Sequence, residues 1–141
     1  IFNSYLKKNK LKLRSGVKEI IKYCKQQDIK LALVSSTSKN NINSIFFCLR
    51  DSLNKKDFDF IGNSKLIKKP KPSAEIYKLA LKKLRLKPEE CIAVEDTQVS
   101  LNSAIKARLK CFIFPGNFHR SKKFNGAFKE ISKINKNIFK S

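Results

Sequence analysis

Two short segments carry residues whose types and order suit phosphoryl transfer, Lys69-Pro70-Lys71-Pro72 and Val94-Glu95-Asp96-Thr97. A lysine ammonium can offset the charge of a phosphoryl group. An acidic pair at a strand end offers the hard oxygen donors that Mg2+ takes, one or two carboxylates completed by phosphate and water. Lys69 is the lysine chosen here: Pro70 and Pro72 stiffen the loop after it, which lowers the entropy of placing its ammonium. Lys68 and Lys71 are set aside as its neighbours. Ser35 directly follows the apolar run Leu31-Ala32-Leu33-Val34. Its hydroxyl, with Ser36 and the N–H groups of the turn that follows, can hold phosphoryl oxygens. Each feature also has a plainer reading. A Ser/Thr cluster after a strand can merely cap the next helix, Asp96 can cap the segment from Thr97, and one lysine among many is ordinarily a solvated surface group. Their order and placement together point to a magnesium-dependent phosphoryl-transfer site with no nucleophile in the usual place ahead of it.

Such residues need a scaffold that gathers strand ends. Val17, Ile20, Ile21 and Cys24 recur at helical spacing and predict a helix over 16–27, with Ser15 as its N-cap. Residues 29–34 read as a buried parallel strand, 41–49 as a helix and 58–61 as a weaker strand. Ser73 is placed as the cap of a helix over 74–84, with Glu75 in the first turn where the dipole favours an anion. A strand over 91–94, a helix over 99–107 and a strand over 110–114 follow, and Pro115-Gly116 ends the last of these. The tail from Ala127 is expected to form a final helix. This alternation predicts an α/β fold, an open and mostly parallel Rossmann-like sheet with helices on both faces. Ligands of such sheets bind beyond the carboxyl ends of strands, where Ser35 and Asp96 both fall.

At 141 residues and 41% hydrophobic content, the length suits one domain with a real core. The net charge of +21 comes from lysines spread along the whole chain. It reads as general residue usage, and a positive field also helps an enzyme of phosphorylated substrates. Specific nucleic-acid binding is not expected, because aromatic stacking motifs and an Arg-clustered helix are missing. Cys24, Cys48, Cys91 and Cys111 stand far apart with no Cys-x-x-Cys, and His119, read as incidental, is alone. That is no zinc set. Isolated cysteines are usually small buried hydrophobes, which suggests a reducing compartment: the cytoplasm, or an organelle stroma if a targeting segment lies upstream. No apolar run reaches the roughly 18 residues of a membrane span.

On these residues the chain resembles the C-terminal part of a haloacid dehalogenase superfamily hydrolase, in the β-phosphoglucomutase-like, CbbY-like subgroup. The matching stretches are Leu13-Arg14-Ser15-Gly16-Val17, 31–36, 69–77, 89–97, Leu109-Lys110-Cys111 and Phe124-Asn125-Gly126-Ala127. The resemblance implies a Mg2+-dependent phosphatase of a sugar phosphate that works through an aspartyl-phosphate. A phosphomutase of the same subgroup and a catalytically dead, phosphatase-like binding module are the alternatives. It assigns Ser35 to the transferring phosphoryl group, Lys69 to charge neutralisation, and Glu95 and Asp96 to Mg2+. The family's first motif, Asp-x-Asp after a strand, has no counterpart: Asp57-Phe58-Asp59 has the spacing but comes after Ser35 and follows Asn54-Lys55-Lys56. Ser100 and Arg108 stand where the family usually has glycine. On this reading residues 1–13 are the end of a helical cap and its return linker, and 14–141 are the core without its first strand. The sheet is then expected to split between the strand ending at Ser35 and the strand ending at Asp96, unless those two pair directly. A chain of this extent is expected to be inactive and poorly stable alone.

Overall fold

A computed structural model describes residues 11–116 and 123–140. Apolar spacing sets the first helix, α1 (Val17–Gln26), which buries Ile20, Ile21 and Cys24. Its N-cap is Gly16 at φ 90°, not Ser15, and no side chain caps it. A Cβ at Gly16 would stand 2.3 Å from the Ile134 carbonyl oxygen, so the turn needs glycine for both space and conformation.

The strand expected over 29–34 contracts to β1 (Ala32–Leu33), paired in parallel with β2 (Phe60–Ile61). Between them, α2 (Lys39–Cys48) is capped by the Ser38 hydroxyl, which accepts from Asn41 N–H. Helix α3 (Glu75–Leu84) starts one residue later than expected. Ala74 is its N-cap, and Ser73 Oγ accepts from Glu75 N–H instead. Strand β3 (Ile92–Glu95), helix α4 (Gln98–Lys106) and strand β4 (Lys110–Ile113) then form a β-α-β unit. The tail does not make the expected helix. Residues 129–130 form β5 (Lys129–Glu130), parallel to β4, and Lys136–Lys140 form a 3-10 turn. Ile131, Ile134 and Ile138 have helix-like spacing, but the free edge of β4 captures the backbone: Phe128 and Ile131 N–H donate to the Cys111 and Ile113 carbonyls. A short lysine-rich helix nucleates too weakly to compete with that edge.

The strands lie in two sheets, β1-β2 and β3-β4-β5. Among the described residues β1 and β3 do not pair, as the expected split requires. Side chains hold the halves together instead. Period-two alternation along β3 and β4 sends Ala93, Cys111 and Ile113 to one core, with Ile76 and Tyr77 of α3 and Leu101 and Ala104 of α4. Ile92, Val94 and Phe112 face the other core, with Ile20 and Cys24 of α1 and Ile138 of the tail. Val34 packs against the first core and Leu31 against the second, so the β1 segment is tied to both faces of the larger sheet. Cys24 and Cys111 are buried, Cys48 and Cys91 are half-buried, and none of the four is in a disulfide. Burial pushes the Cys111 thiol up to about 12, which keeps it unreactive.

Candidate active site

The carboxyl ends of β1 and β3 meet around one ammonium, that of Lys71. Its Nζ lies 3.1 Å from the Val34 carbonyl oxygen at the end of β1 and 2.5 Å from Glu95 Oε1 at the end of β3. Both partners of this ion pair are nearly buried, at 10% and 11% side-chain exposure. The Tyr77 hydroxyl donates to the same Glu95 oxygen, and the Tyr77 ring centroid lies 5.2 Å from the ammonium. Burial, and then the charge of Glu95, hold the Tyr77 phenol far above its ordinary range, so it stays a donor. One ammonium therefore joins two sheets that share no ladder among the described residues.

The lysine in this position is Lys71, not Lys69. Lys69 is exposed, and its charge acts on Glu75 on the other side of the loop. The Glu75 carboxylate explains why. It accepts from Lys68 N–H at 2.8 Å and from Lys69 N–H at 2.9 Å, which fixes that part of the loop against the start of α3. Two residues on, Lys71 N–H donates to Ser36 Oγ at 3.0 Å, and the chain has turned toward β1. The two Lys-Pro pairs look alike in sequence, and only the path of the loop separates them.

The Glu75 contacts have a consequence in acid. The two N–H donors, with the Lys68 and Lys69 charges, lower its pKa below the ordinary value of 4.5. The stability this contributes is complete above that ordinary value and is lost as pH falls through the lower folded value. Glu75→Gln is accordingly expected to flatten the acid limb of a stability–pH curve below about pH 4.5, read by urea unfolding at stepped pH. An unchanged acid limb would remove Glu75 from the loop's anchoring.

Ser35 sits in the turn beyond β1, where its Oγ accepts from Thr37 N–H at 3.1 Å. That bond uses a lone pair and leaves the hydroxyl proton to be donated. Ser36 holds Lys71 in place. Asp96 does not cap α4. Thr97 does, its Oγ accepting from Ser100 N–H. Asp96 is exposed, and among the described residues its carboxylate carries no hydrogen bond or ion pair. The adjacent Glu95 and Asp96 form an all-oxygen donor set whose chemistry fits Mg2+. Among the described residues, however, no three His, Cys, Asp or Glu side chains gather as a ready-made metal cluster. Asp57 and Asp59 are used elsewhere, as expected. Asp57 pairs with Lys25 at 2.6 Å, and Asp59 accepts from Leu31 N–H at the opposite end of the β1 segment.

Sequence reasoning missed three supports. Tyr77 is one. Arg14 donates to the Phe114 and Pro115 carbonyls and stacks 3.3 Å from the Phe114 ring centroid, which pins the chain beyond β4. The Gln98 side-chain amide pairs with the Asn125 backbone, accepting at 2.9 Å and donating at 3.0 Å, and ties the start of α4 to the turn before β5. Both residues lie in or next to stretches quoted for the resemblance, but nothing in sequence shows which backbone they grip. His119 lies outside the described residues.

Comparison with known proteins identifies the family and the fold. A family model described as haloacid dehalogenase-like hydrolase matches residues 1–114. The protein CbbY of Cereibacter sphaeroides is 32% identical over 126 residues, which cover 89% of this chain and 55% of that protein. A phosphorylated carbohydrates phosphatase of Thermotoga maritima is 32% identical over 110 residues, 78% of this chain and 47% of its own length. Crystalline CbbY from Rhodobacter sphaeroides in complex with xylulose-(1,5)bisphosphate superposes with a TM-score of 0.84 at 30% identity, covering 92% of this chain and 57% of that one. The chain thus spans about half the length of the curated relatives it matches.

Proposed function

Because the chain belongs to the haloacid dehalogenase-like hydrolase family, in its CbbY-like subgroup, we propose that it carries the phosphate- and metal-binding half of a phosphatase acting on a sugar phosphate. The observation that carries this reading is the Lys71–Glu95–Tyr77 cluster, set between Ser35 and Asp96 at the carboxyl ends of two parallel strands. The relatives supply the substrate class, since one is a phosphatase of phosphorylated carbohydrates and another binds a sugar bisphosphate.

Each residue has a definite part. An ammonium has three protons, and Val34 and Glu95 take two of those on Lys71. The third is left for a phosphoryl oxygen, so Lys71 takes the role first given to Lys69. Ser35 donates its hydroxyl proton to a second phosphoryl oxygen. Asp96 and Glu95 would hold Mg2+, which when bound neutralises phosphoryl charge. The nucleophile would be an aspartate at the end of a strand between β1 and β3, and among the described residues none stands there. Its carboxylate oxygen attacks phosphorus as the ester oxygen leaves, a second aspartate gives that oxygen a proton, and water then releases phosphate. Positioning and charge stabilisation supply most of the rate.

Titration calorimetry with MgCl2 is expected to show one site, weakened at least about tenfold by Asp96→Asn. With the aspartate strand in the same polypeptide, release of phosphate from a sugar phosphate, followed by 31P NMR, should require Mg2+ and vanish in that variant. Mg2+ binding indifferent to Asp96→Asn would overturn the assignment.

A further inference from the structure

The outer face of α3 borders a second feature that the catalytic reading does not use. An open surface depression of about 720 Å³ lies there, lined by Leu66, Ala74 and Leu79 together with Lys78, Lys82 and Lys106. None of Ser35, Lys71, Glu95 or Asp96 lines it. The buried face of α3, with Ile76, Tyr77, Ala80 and Leu84, turns toward the core, so Lys78 and Lys82 project from the opposite side. They stand one turn apart and are neighbours on the helix surface. Lys106 comes from the last turn of α4, a nine-residue helix about 13 Å long whose other end follows Asp96.

Three observations separate this place from an ordinary basic surface. Among the described residues, no hydrogen bond or ion pair engages the three ammoniums. The one carboxylate in the lining, Glu75, accepts from the Lys68 and Lys69 N–H groups and forms no ion pair with the three lysines. Leu66, Ala74 and Leu79 add apolar surface to the lining, and the volume lies in the range of small-molecule sites, about 300–1,000 Å³. Cations on two helices, with Leu66, Ala74 and Leu79 in the same lining, match a ligand with several separated anionic groups and a less polar body.

We propose that this depression binds an organic polyphosphate, its phosphoryl groups held by Lys78, Lys82 and Lys106 and its remaining portion resting on Leu66 and Leu79. Lysine suits the task as a point charge that a phosphate can approach from several directions. The site is separate from the phosphatase reading and does not depend on it.

The test uses the whole chain at physiological salt, with ATP and inorganic tripolyphosphate as probes and amide NMR as the readout. ATP is expected to shift residues 66, 74, 78, 79, 82 and 106 together and to bind more tightly than tripolyphosphate, because only ATP has a body to rest on Leu66 and Leu79. The triple variant Lys78→Gln, Lys82→Gln, Lys106→Gln should weaken ATP binding at least about tenfold, the loss of one or more charged contacts. A control removing the same charge from exposed positions elsewhere, Lys18→Gln, Lys22→Gln, Lys56→Gln, should leave affinity within about twofold. Equal weakening in both triples would reduce the effect to net charge and overturn the proposal. Shifts scattered outside the depression, or binding seen only at low salt, would do the same.

Discussion

Lys71→Met is expected to lower the unfolding free energy by about 3–5 kcal/mol, while Lys69→Met changes it by no more than about 0.5 kcal/mol. The two residues lie two positions apart in one Lys-Pro-Lys-Pro stretch, so composition and net charge change identically. The difference is burial. Lys71 and Glu95 are 10% and 11% exposed, and removing the ammonium leaves a carboxylate out of water with only the Tyr77 hydroxyl beside it. It also removes a side chain that bonds the end of β1 to the end of β3, strands that share no ladder among the described residues. Lys69 is exposed, and the bond that matters there is made by its backbone N–H, which methionine keeps.

Urea unfolding of both variants measures the contrast. Adding Glu95→Gln to Lys71→Met should recover much of the loss, because the stranded charge is gone. MgCl2 should also stabilise Lys71→Met more than the parent chain, since Glu95, no longer paired with an ammonium, offers the metal its full charge and a ligand that binds only the folded state raises its stability. Equal effects of the two lysine substitutions would remove Lys71 from the centre of the site.

The second large loss is expected for Phe112→Ala, at about 3–5 kcal/mol. Phe112 is 1% exposed on β4, the middle strand of the larger sheet. It packs with Ile20 and Cys24 of α1 and Ile138 of the tail, and meets the Phe128 ring edge-to-face at 5.2 Å. Elements from both ends of the chain therefore depend on one ring, and the cavity left by alanine opens between parts that no ladder connects. With domains of this size stable by only about 5–15 kcal/mol, that loss is a large share of the total. The expected readout is a lower urea midpoint, with protection from hydrogen exchange lost first in 129–140. Loss confined to 129–140 while α1 keeps its protection would show that Phe112 holds only the tail.

Helices were the most legible elements. The Ile20, Ile21 and Cys24 spacing placed α1 to within a residue, and the order of apolar strands and helices already implied a parallel α/β sheet. Ends were less legible. Ser15 and Ser73 carry good capping side chains, yet Gly16 and Ala74 take the cap positions, because contact with Ile134 and the Glu75 anchor set the backbone there. The tail misled most. Its isoleucine spacing is helical, but an open strand edge elsewhere in the chain outbid it, and no local pattern records that edge.

The same division runs through the site. Residue types and order alone were enough to put a hydroxyl, a lysine loop and two adjacent carboxylates at strand ends, since strand ends are marked locally by where apolar runs stop. Which lysine reaches the carboxylate was a tertiary matter, settled by Glu75 gripping the N–H groups of Lys68 and Lys69 so that the next turn of chain delivers Lys71. So was the release of Asp96 from capping, which follows from Thr97 taking the Ser100 N–H. Local pattern is written in spacing along the chain. The choice among chemically identical side chains depends on distances through space, and those exist only once the two sheets have packed.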